Sequence, residues 1–333
     1  MKWQAYELHT HSPHSDGSHT LLEMAIEAKR IGLDGLALTD HNTMSGLIDK
    51  DFVEEKTGLH IVRGLEWTTF YGHMLTLGIE RYEDWRNLSP IDIEKGIDQI
   101  HKQGGIVGIA HPFCIGTPIC TGCFWEYEIS DWNSVDYIEV WNEPFPSVKK
   151  SNIRAFKLWT EKLNQGYQIA ATSGRDWHRS DPNDGPPAVS YLYMKDGSED
   201  QKEAEVINAI KQGNISVSLG PLLLLSGKVS SDNHSFRLGD RVNLSGRNTN
   251  VEIDVQLDYS VRQGKWELPD QTLKIVIKSN KGILTEFKCA NDFEKETIHL
   301  DVKDVIWLRA ELYGVFNNVR TMIAFTNPIY FSH

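Results

Sequence analysis

The chain opens on a short alternation of apolar and polar side chains over 3–8 (WQAYEL), which predicts a strand. Side chains two apart on a strand share a face, so His9 and His11 leave on one side. Pro13, Asp16 and Gly17 then turn the chain. Thr20 and Glu23 have the spacing of a capping box, and the helix they start is expected to stop at Gly32. GLALTDHNT reads as a strand ending in Asp40 and His41, followed by a helical stretch over about 46–56. HIVRGLEWT reads as a strand ending in Glu66, and FYGHMLTLGI as one carrying His73. Ser89 and Pro90 are placed as N-cap and first residue of a helix running through Ile93, Ile97 and Ile100 to Gly104. IVGIAHP ends in His111, and DYIEVWN ends in Glu139 and Asn142. After a helix over about 148–164, QIAATSGRDWH ends in Asp176 and His178.

Beyond the Pro- and Gly-rich loop at 181–187 come a strand (AVSYLYM), a helix over about 201–212 and an extended run (ISVSLGPLLLLSG). From about Leu225 the pattern changes to short β-type runs, VEIDVQL, LKIVIKS, ETIHLDV, VIWLRAELYG and TMIAFTNPIYF, separated by Gly, Asn and Asp. The expectation is an α/β domain over 1–224 and a small antiparallel β-sandwich over 225–333.

Strand–helix alternation with polar residues at the strand ends places them on the C-terminal face of a barrel-type α/β fold. Ten of the 13 histidines precede residue 180, so imidazole chemistry belongs to the first half. Histidine and carboxylate without thiolate suit a first-row divalent metal that keeps a position open for water.

Composition narrows the partners. Lys+Arg 34 against Asp+Glu 46 leaves a net charge of −12, which argues against broad binding to nucleic acid or anionic membrane. No apolar run approaches the roughly 20 residues of a membrane span, and the N-terminus lacks a signal-peptide pattern, so a cytoplasmic location is expected. Cys114, Cys120 and Cys123 cluster, with Cys289 far away, which is not a disulfide framework. The C-x-x-C pair could bind zinc or cycle as a disulfide. The favoured reading is a loop over the site mouth with free thiols, with Phe124 and Trp125 as substrate walls.

The motifs HTHSPHSDG, TDHN, GLE, AHP and DWH, in this order and spacing, resemble those of the PHP superfamily of metal-dependent hydrolases. GLEWT…YGH, EVWN and the C-terminal half resemble its CehA/McbA-type branch. The resemblance implies a distorted (β/α)7 barrel holding two or three divalent ions (Zn, Mn or Fe). It implies His9, His11, Glu66 and Asp176 as ligands of one metal. Glu66 would bridge to a second, completed by His73 and His111. Asp16, His41 and His178 would hold a third, with Asp16 standing where trinuclear members often carry His. Three divalent ions against three carboxylates leave the site electropositive, which favours an anionic small-molecule substrate such as a phosphate ester. A hydroxide bridging the metals would attack it. A carbamate ester or amide hydrolase with the same metal site is the alternative. A non-catalytic module is disfavoured by the intact ligand set, and a nuclease by the acidic charge.

Around this set Arg175 could clamp an anionic substrate or make a plain salt bridge. Asp40 could orient the His41 imidazole or only form a turn. Glu139 and Asn142 face substrate or are buried structural groups. His14 and His19 flank the site as proton-transfer candidates. An apolar pocket of Phe113, Phe124, Trp125 and Trp177 would favour neutral aryl carbamates, whereas converging Arg or Lys would favour phosphate. His60, His101, His234, His299 and His333 are assigned surface or packing roles.

Overall fold

The computed structural model describes residues 2–117, 121–181, 187–195, 199–230, 234–246 and 248–333. Cys120, half of the expected C-x-x-C pair, lies outside them, as does 182–186 of the loop at 181–187.

The first part of the chain builds β1 (Lys2–Thr10), α1 (Leu21–Arg30), β2 (Gly35–Leu38), α2 (Lys50–Thr57), β3 (His60–Thr68), β4 (His73–Leu77), α3 (Ile93–Lys102), β5 (Ile106–Ala110), β6 (Tyr137–Asn142), α4 (Lys150–Asn164) and β7 (Ala170–Gly174). These strands lie side by side in chain order. The expected capping box is present: Thr20 Oγ1 accepts from Glu23 N, and the Glu23 carboxylate accepts from Thr20 N. The α3 start differs from expectation. Ser89 donates through both N and Oγ to Asp92 Oδ1, so 89–92 forms a turn and Asp92 becomes the residue before the helix.

Strand–helix alternation also breaks at β4. Four residues, 69–72, join it to β3, too few for a crossover helix, so β4 runs antiparallel to both β3 and β5. The hairpin brings His73 back beside Glu66. The neighbouring pairs β1–β2, β2–β3, β5–β6 and β6–β7 are parallel.

The chain continues through β8 (Val189–Met194), α5 (Glu199–Gln212) and β9 (Ile215–Ser218). β8 pairs antiparallel with the start of β1, over Lys2 to Tyr6. Among the described residues no ladder joins β7 to β1 or β8. Side chains lace that edge of β7 instead, at every second residue. Ala171 N donates to Asn327 Oδ1 at 2.7 Å and Ala171 O accepts from Asn327 Nδ2 at 2.8 Å. Ser173 exchanges both peptide groups with Ser190 Oγ, and Arg175 N donates to Glu7 Oε1 at 2.9 Å. Backbone pairing resumes at Trp177, which donates to His9 O and accepts from His11 N, both at 3.0 Å. Unpaired buried peptide groups are costly, and these side chains remove that cost.

The C-terminal strands are β10 (Leu222–Val229), β11 (Ser235–Arg237), β12 (Arg241–Asn243), β13 (Asn250–Asp258), β14 (Leu273–Ser279), β15 (Gly282–Cys289), β16 (Lys295–Asp301), β17 (Trp307–Phe316), β18 (Val319–Thr326) and β19 (Ile329–Ser332). They divide between two sheets. β11-β10-β13-β16 is a four-stranded antiparallel sheet, and the others extend the main sheet to 15 strands through the β9–β18 pairing. Val251, Ile253, Val255 and Leu257 alternate inward along β13 and meet Ile275 and Leu312 of the main sheet in one apolar cluster. The division expected at 224/225 falls within β10. The molecule is thus a mixed α/β fold with one large sheet. Among the described residues no helix is long and apolar enough to cross a membrane.

Candidate metal centre

The nine expected ligands converge at the ends of β1, β2, β3, β4, β5 and β7. Their donor atoms fall into groups lying within 4.8 Å of one another: His9, His11, Glu66 and Asp176; Glu66, His73 and His111; and His11, Asp16, His41 and His178. Glu66, fully buried, sits at the middle with its two oxygens facing different partners. Oε1 is 2.9 Å from His73 Nδ1 and 3.2 Å from His111 Nε2. Oε2 is 2.8 Å from His41 Nδ1, 3.3 Å from His9 Nε2 and 3.5 Å from His11 Nε2. Asp176 Oδ1 lies 3.2 Å from His9 Nε2 and 3.0 Å from His11 Nε2. Asp16 Oδ1 lies 3.0 Å from His178 Nε2 and 3.4 Å from His41 Nε2, at the more open end of the cluster.

This donor set fits divalent ions. His9 Nε2, both ring nitrogens of His11, Glu66 Oε2 and Asp176 Oδ1 are buried and form no well-aligned hydrogen bond. Buried polar atoms are almost always satisfied, so a convergent group of unsatisfied imidazole and carboxylate atoms matches what a hard or borderline cation requires. Without the ions the charges lean on one another. Burial opposes the ionised forms of Asp176 and Glu66, yet the surrounding imidazoles outweigh it and hold both carboxyls well below their usual range. Burial likewise opposes a charged His41, but Glu66 and Asp16 push it up to about 10. His11, where burial dominates, falls to about 4.

Two carboxylates behind the cluster were less legible. Glu139 places Oε1 3.0 Å from His9 Nδ1, while its Oε2 accepts from His111 N at 3.1 Å and Asn142 Nδ2 at 3.2 Å. It therefore meets the far nitrogen of a ligand-type imidazole, the arrangement that fixes tautomer and ring orientation. Glu139, His9 and His111 also form a compact donor group, but Glu139 stands on the Nδ1 side of His9, away from Glu66 and Asp176. Glu7, which the sequence reading passed over, accepts from His9 N at 3.1 Å as well as from Arg175 N. Its only sequence signal is a carboxylate two residues before His9 on an otherwise apolar strand.

The remaining candidates separate clearly. Asp40 accepts from Ser12 N, Ser12 Oγ and Ser15 Oγ, each at 2.7 Å, so it pins the turn that carries Asp16 instead of holding an imidazole. His41 finds its partner in Thr68 Oγ1, 2.5 Å from Nδ1. His14 is exposed and bonded to Ser45 Oγ at 2.8 Å, outside the donor groups. The His19 ring lies 6.1 Å from that of Trp177. Arg175, Asp176, Trp177, His178 and Arg179 line a cleft of about 310 Å³ with Glu143, Pro144 and Asp181. The aromatic residues expected to wall the site carry cations: the Arg154 guanidinium lies 4.2 Å over Phe113 and 5.4 Å over Phe124, and Arg175 lies 4.6 Å over Trp177. Trp125 packs on Tyr127. Cys114 is half-buried and burial pushes its thiol up to about 11, which disfavours the thiolate that redox or zinc chemistry needs.

Residues 7–96 match the PHP domain. The match takes in β1 to the start of α3, and with them His9, His11, Asp16, His41, Glu66 and His73. Curated relatives align over the same type of short stretch. An uncharacterized protein of Methanocaldococcus jannaschii is 36% identical over 94 residues, 28% of this chain and 50% of that protein. A phosphoribosyl 1,2-cyclic phosphate 1,2-diphosphodiesterase of Eggerthella lenta is 35% identical over 80 residues, 22% of this chain and 30% of that enzyme. The chain thus spans half or less of the length of these relatives. A two-domain protein of Bacteroides vulgatus, named as containing a predicted PHP-like metal-dependent phosphoesterase, superposes over 98% of this chain and 95% of its own with a TM-score of 0.51 at 14% identity. At that identity the likeness is one of fold.

Proposed function

We propose that the chain is a metal-dependent phosphoesterase of the PHP type, in the CehA/McbA-like branch, acting on a small anionic ester in the cytoplasm. The single observation that carries the reading is Glu66, a buried carboxylate with ligand-type imidazoles on both oxygens and unsatisfied donors around it. His9, His11, Glu66 and Asp176 would hold one Zn, Mn or Fe ion. Glu66, His73 and His111 would hold a second, and Asp16, His41 and His178 a third, with His11 close enough to join them. Residues 1–224 would form the distorted (β/α)7 barrel, closed across the laced edge of β7, and 225–333 a β-sandwich.

Bound ions would supply Lewis acidity and an activated water. The chain's own residues orient and attract. Glu139 turns His9 so that Nε2 faces Glu66 and Asp176, and Asp40 fixes the turn that presents Asp16. Arg175 and Arg179 line the cleft beside Asp176 together with Glu143 and Asp181, and these two guanidinium groups are the ones that would meet a phosphoryl oxygen. Guanidinium groups cover the faces of Phe113, Phe124 and Trp177, so these rings do not make the neutral pocket that an aryl carbamate would want. The cyclic phosphodiester named for the Eggerthella lenta relative agrees with this choice.

The test is protein reconstituted with Zn, Mn or Fe, its bound metal quantified, and assayed in parallel on aryl phosphate mono- and diesters and on aryl carbamates and anilides. Phosphate-ester turnover is expected, with metal and activity both lost in Asp176→Ala and His9→Ala. Carbamate turnover without phosphate turnover overturns the proposed function. Full metal content and activity in those variants overturns the ligand assignment.

A further inference from the structure

A second polar cluster lies apart from the metal ligands, where the loop between β13 and β14 crosses the end of α1. The loop is a built structure: Lys265 N donates to Arg262 O at 3.0 Å, and Trp266 Nε1 donates to Val261 O at 2.9 Å. Val261 packs into the apolar cluster formed by Ala28, Leu33, Trp177 and Tyr191. Arg262 itself is held at φ 47°, the left-handed region that costs a side-chain-bearing residue about 1–2 kcal/mol, and such conformations persist only where the surroundings dictate them.

The Arg262 side chain passes over Gly32 and donates Nε to Ile31 O at 3.1 Å. Both of its Nη atoms are then sealed from solvent and form no well-aligned hydrogen bond. The Tyr191 hydroxyl, also sealed, faces this guanidinium without a well-aligned hydrogen bond to it. The next charged groups to act on it are Arg175, a second cation, and Glu7, whose carboxylate already accepts from His9 N and Arg175 N. A buried guanidinium without a paired carboxylate is among the costliest arrangements a fold can keep.

The chemistry of this pair is one-sided. Guanidinium nitrogens only donate, and only the Tyr191 oxygen can also accept. A water there could accept from both Nη atoms, but it would bring two more donors and no charge. An acceptor-only ligand with a negative charge answers both deficits. We propose that Arg262 and Tyr191 bind a small monovalent inorganic anion of the halide class, which locks the β13–β14 loop onto the end of α1. The site uses none of the nine residues assigned to the metals.

Bromide is the probe. Wild-type crystals grown in sodium bromide should show an anomalous peak within hydrogen-bonding reach of both Arg262 Nη atoms and of Tyr191 Oη. In solution, bromide should raise the melting temperature by about 2 °C over gluconate at matched ionic strength. That increment should vanish in Arg262→Met and fall several-fold in Tyr191→Phe, which deletes one hydroxyl and leaves the fold intact if the arginine variant does not fold. Density without anomalous signal at this position identifies a water and overturns the proposal. So does a bromide increment that is undiminished in Tyr191→Phe, or bromide bound equally at exposed guanidinium groups such as Arg30.

Discussion

Replacing Glu139 by Gln tests how the metal centre is oriented, because it changes one atom behind the site and none in front. Oε1 receives His9 Nδ1, and Oε2 receives His111 N and Asn142 Nδ2, so both carboxylate oxygens face donors. A glutamine must turn its NH2 toward one side or the other. Facing His111 N and Asn142, it sets donor against donor in a buried place. Facing His9, it forces Nδ1 to become the acceptor, which moves the ring proton to Nε2, the nitrogen aimed at Glu66 and Asp176. That tautomer cannot ligate. Loss of such an orienting carboxylate typically costs 10–100-fold in metal affinity, about 1.4–2.7 kcal/mol. The assay is competition for zinc against a chelator of known affinity, with the melting temperature of the metal-free variant as a control for folding. A zinc affinity within twofold of wild type, in a folded Glu139→Gln protein, would refute the orienting role.

Three further outcomes follow from the same geometry. Asp40→Asn leaves at most part of the three 2.7 Å bonds to Ser12 and Ser15, so urea unfolding should show a loss of about 2 kcal/mol and metal content should fall with the displaced Asp16. Asn327→Ala strips both peptide partners from Ala171, and a loss of about 2–4 kcal/mol in the same assay is expected; a change below 1 kcal/mol would show the lacing to be dispensable. His60 is buried against Tyr6 Oη, and burial lowers its pKa to about 3 from an ordinary 6.5. The native state therefore binds fewer protons than the unfolded chain between those values, and stability should decline as pH falls through that window. By pH 5 the decline reaches about 2 kcal/mol from this residue, and His60→Gln should remove it; equal slopes for wild type and variant between pH 7 and 5 would exclude His60 as the cause.

Several of the candidate ligands were legible because they sit at the end of an apolar run, where strand periodicity sets the direction of the side chain, and the full set of nine came from the resemblance to the PHP hydrolases. His9 and His11 illustrate this, as does His111 after IVGIA. The capping box at Thr20 was legible because its chemistry is local. What escaped was long-range. Glu7 and Asn327 look like ordinary polar residues in sequence, and only the unpaired edge of β7, 168 and 156 residues away, gives them their task. The β4 hairpin was hidden because apolar runs alone do not give strand direction. Asp40 was ambiguous because its partners, Ser12 and Ser15, lie across the strand pair β1–β2. Asp16 was assigned apart from His9 and His11, and the geometry adds that His11 stands close to both groups.

The lacing of β7 has a bearing on how the protein matures. The strand that delivers Asp176 and His178 finds its partner for Ala171 at residue 327, 156 residues further along the chain. A nascent chain emerging from the ribosome can complete the pocket of Glu66 and His73 early, but it cannot seat the final donors until its C-terminal strands have folded. Seating of those donors is thereby tied to synthesis of β18 and of Asn327, which follows it. A chain interrupted before β18 would lack the partner of Ala171 and leave the strand leading to Asp176 and His178 unsecured on that edge.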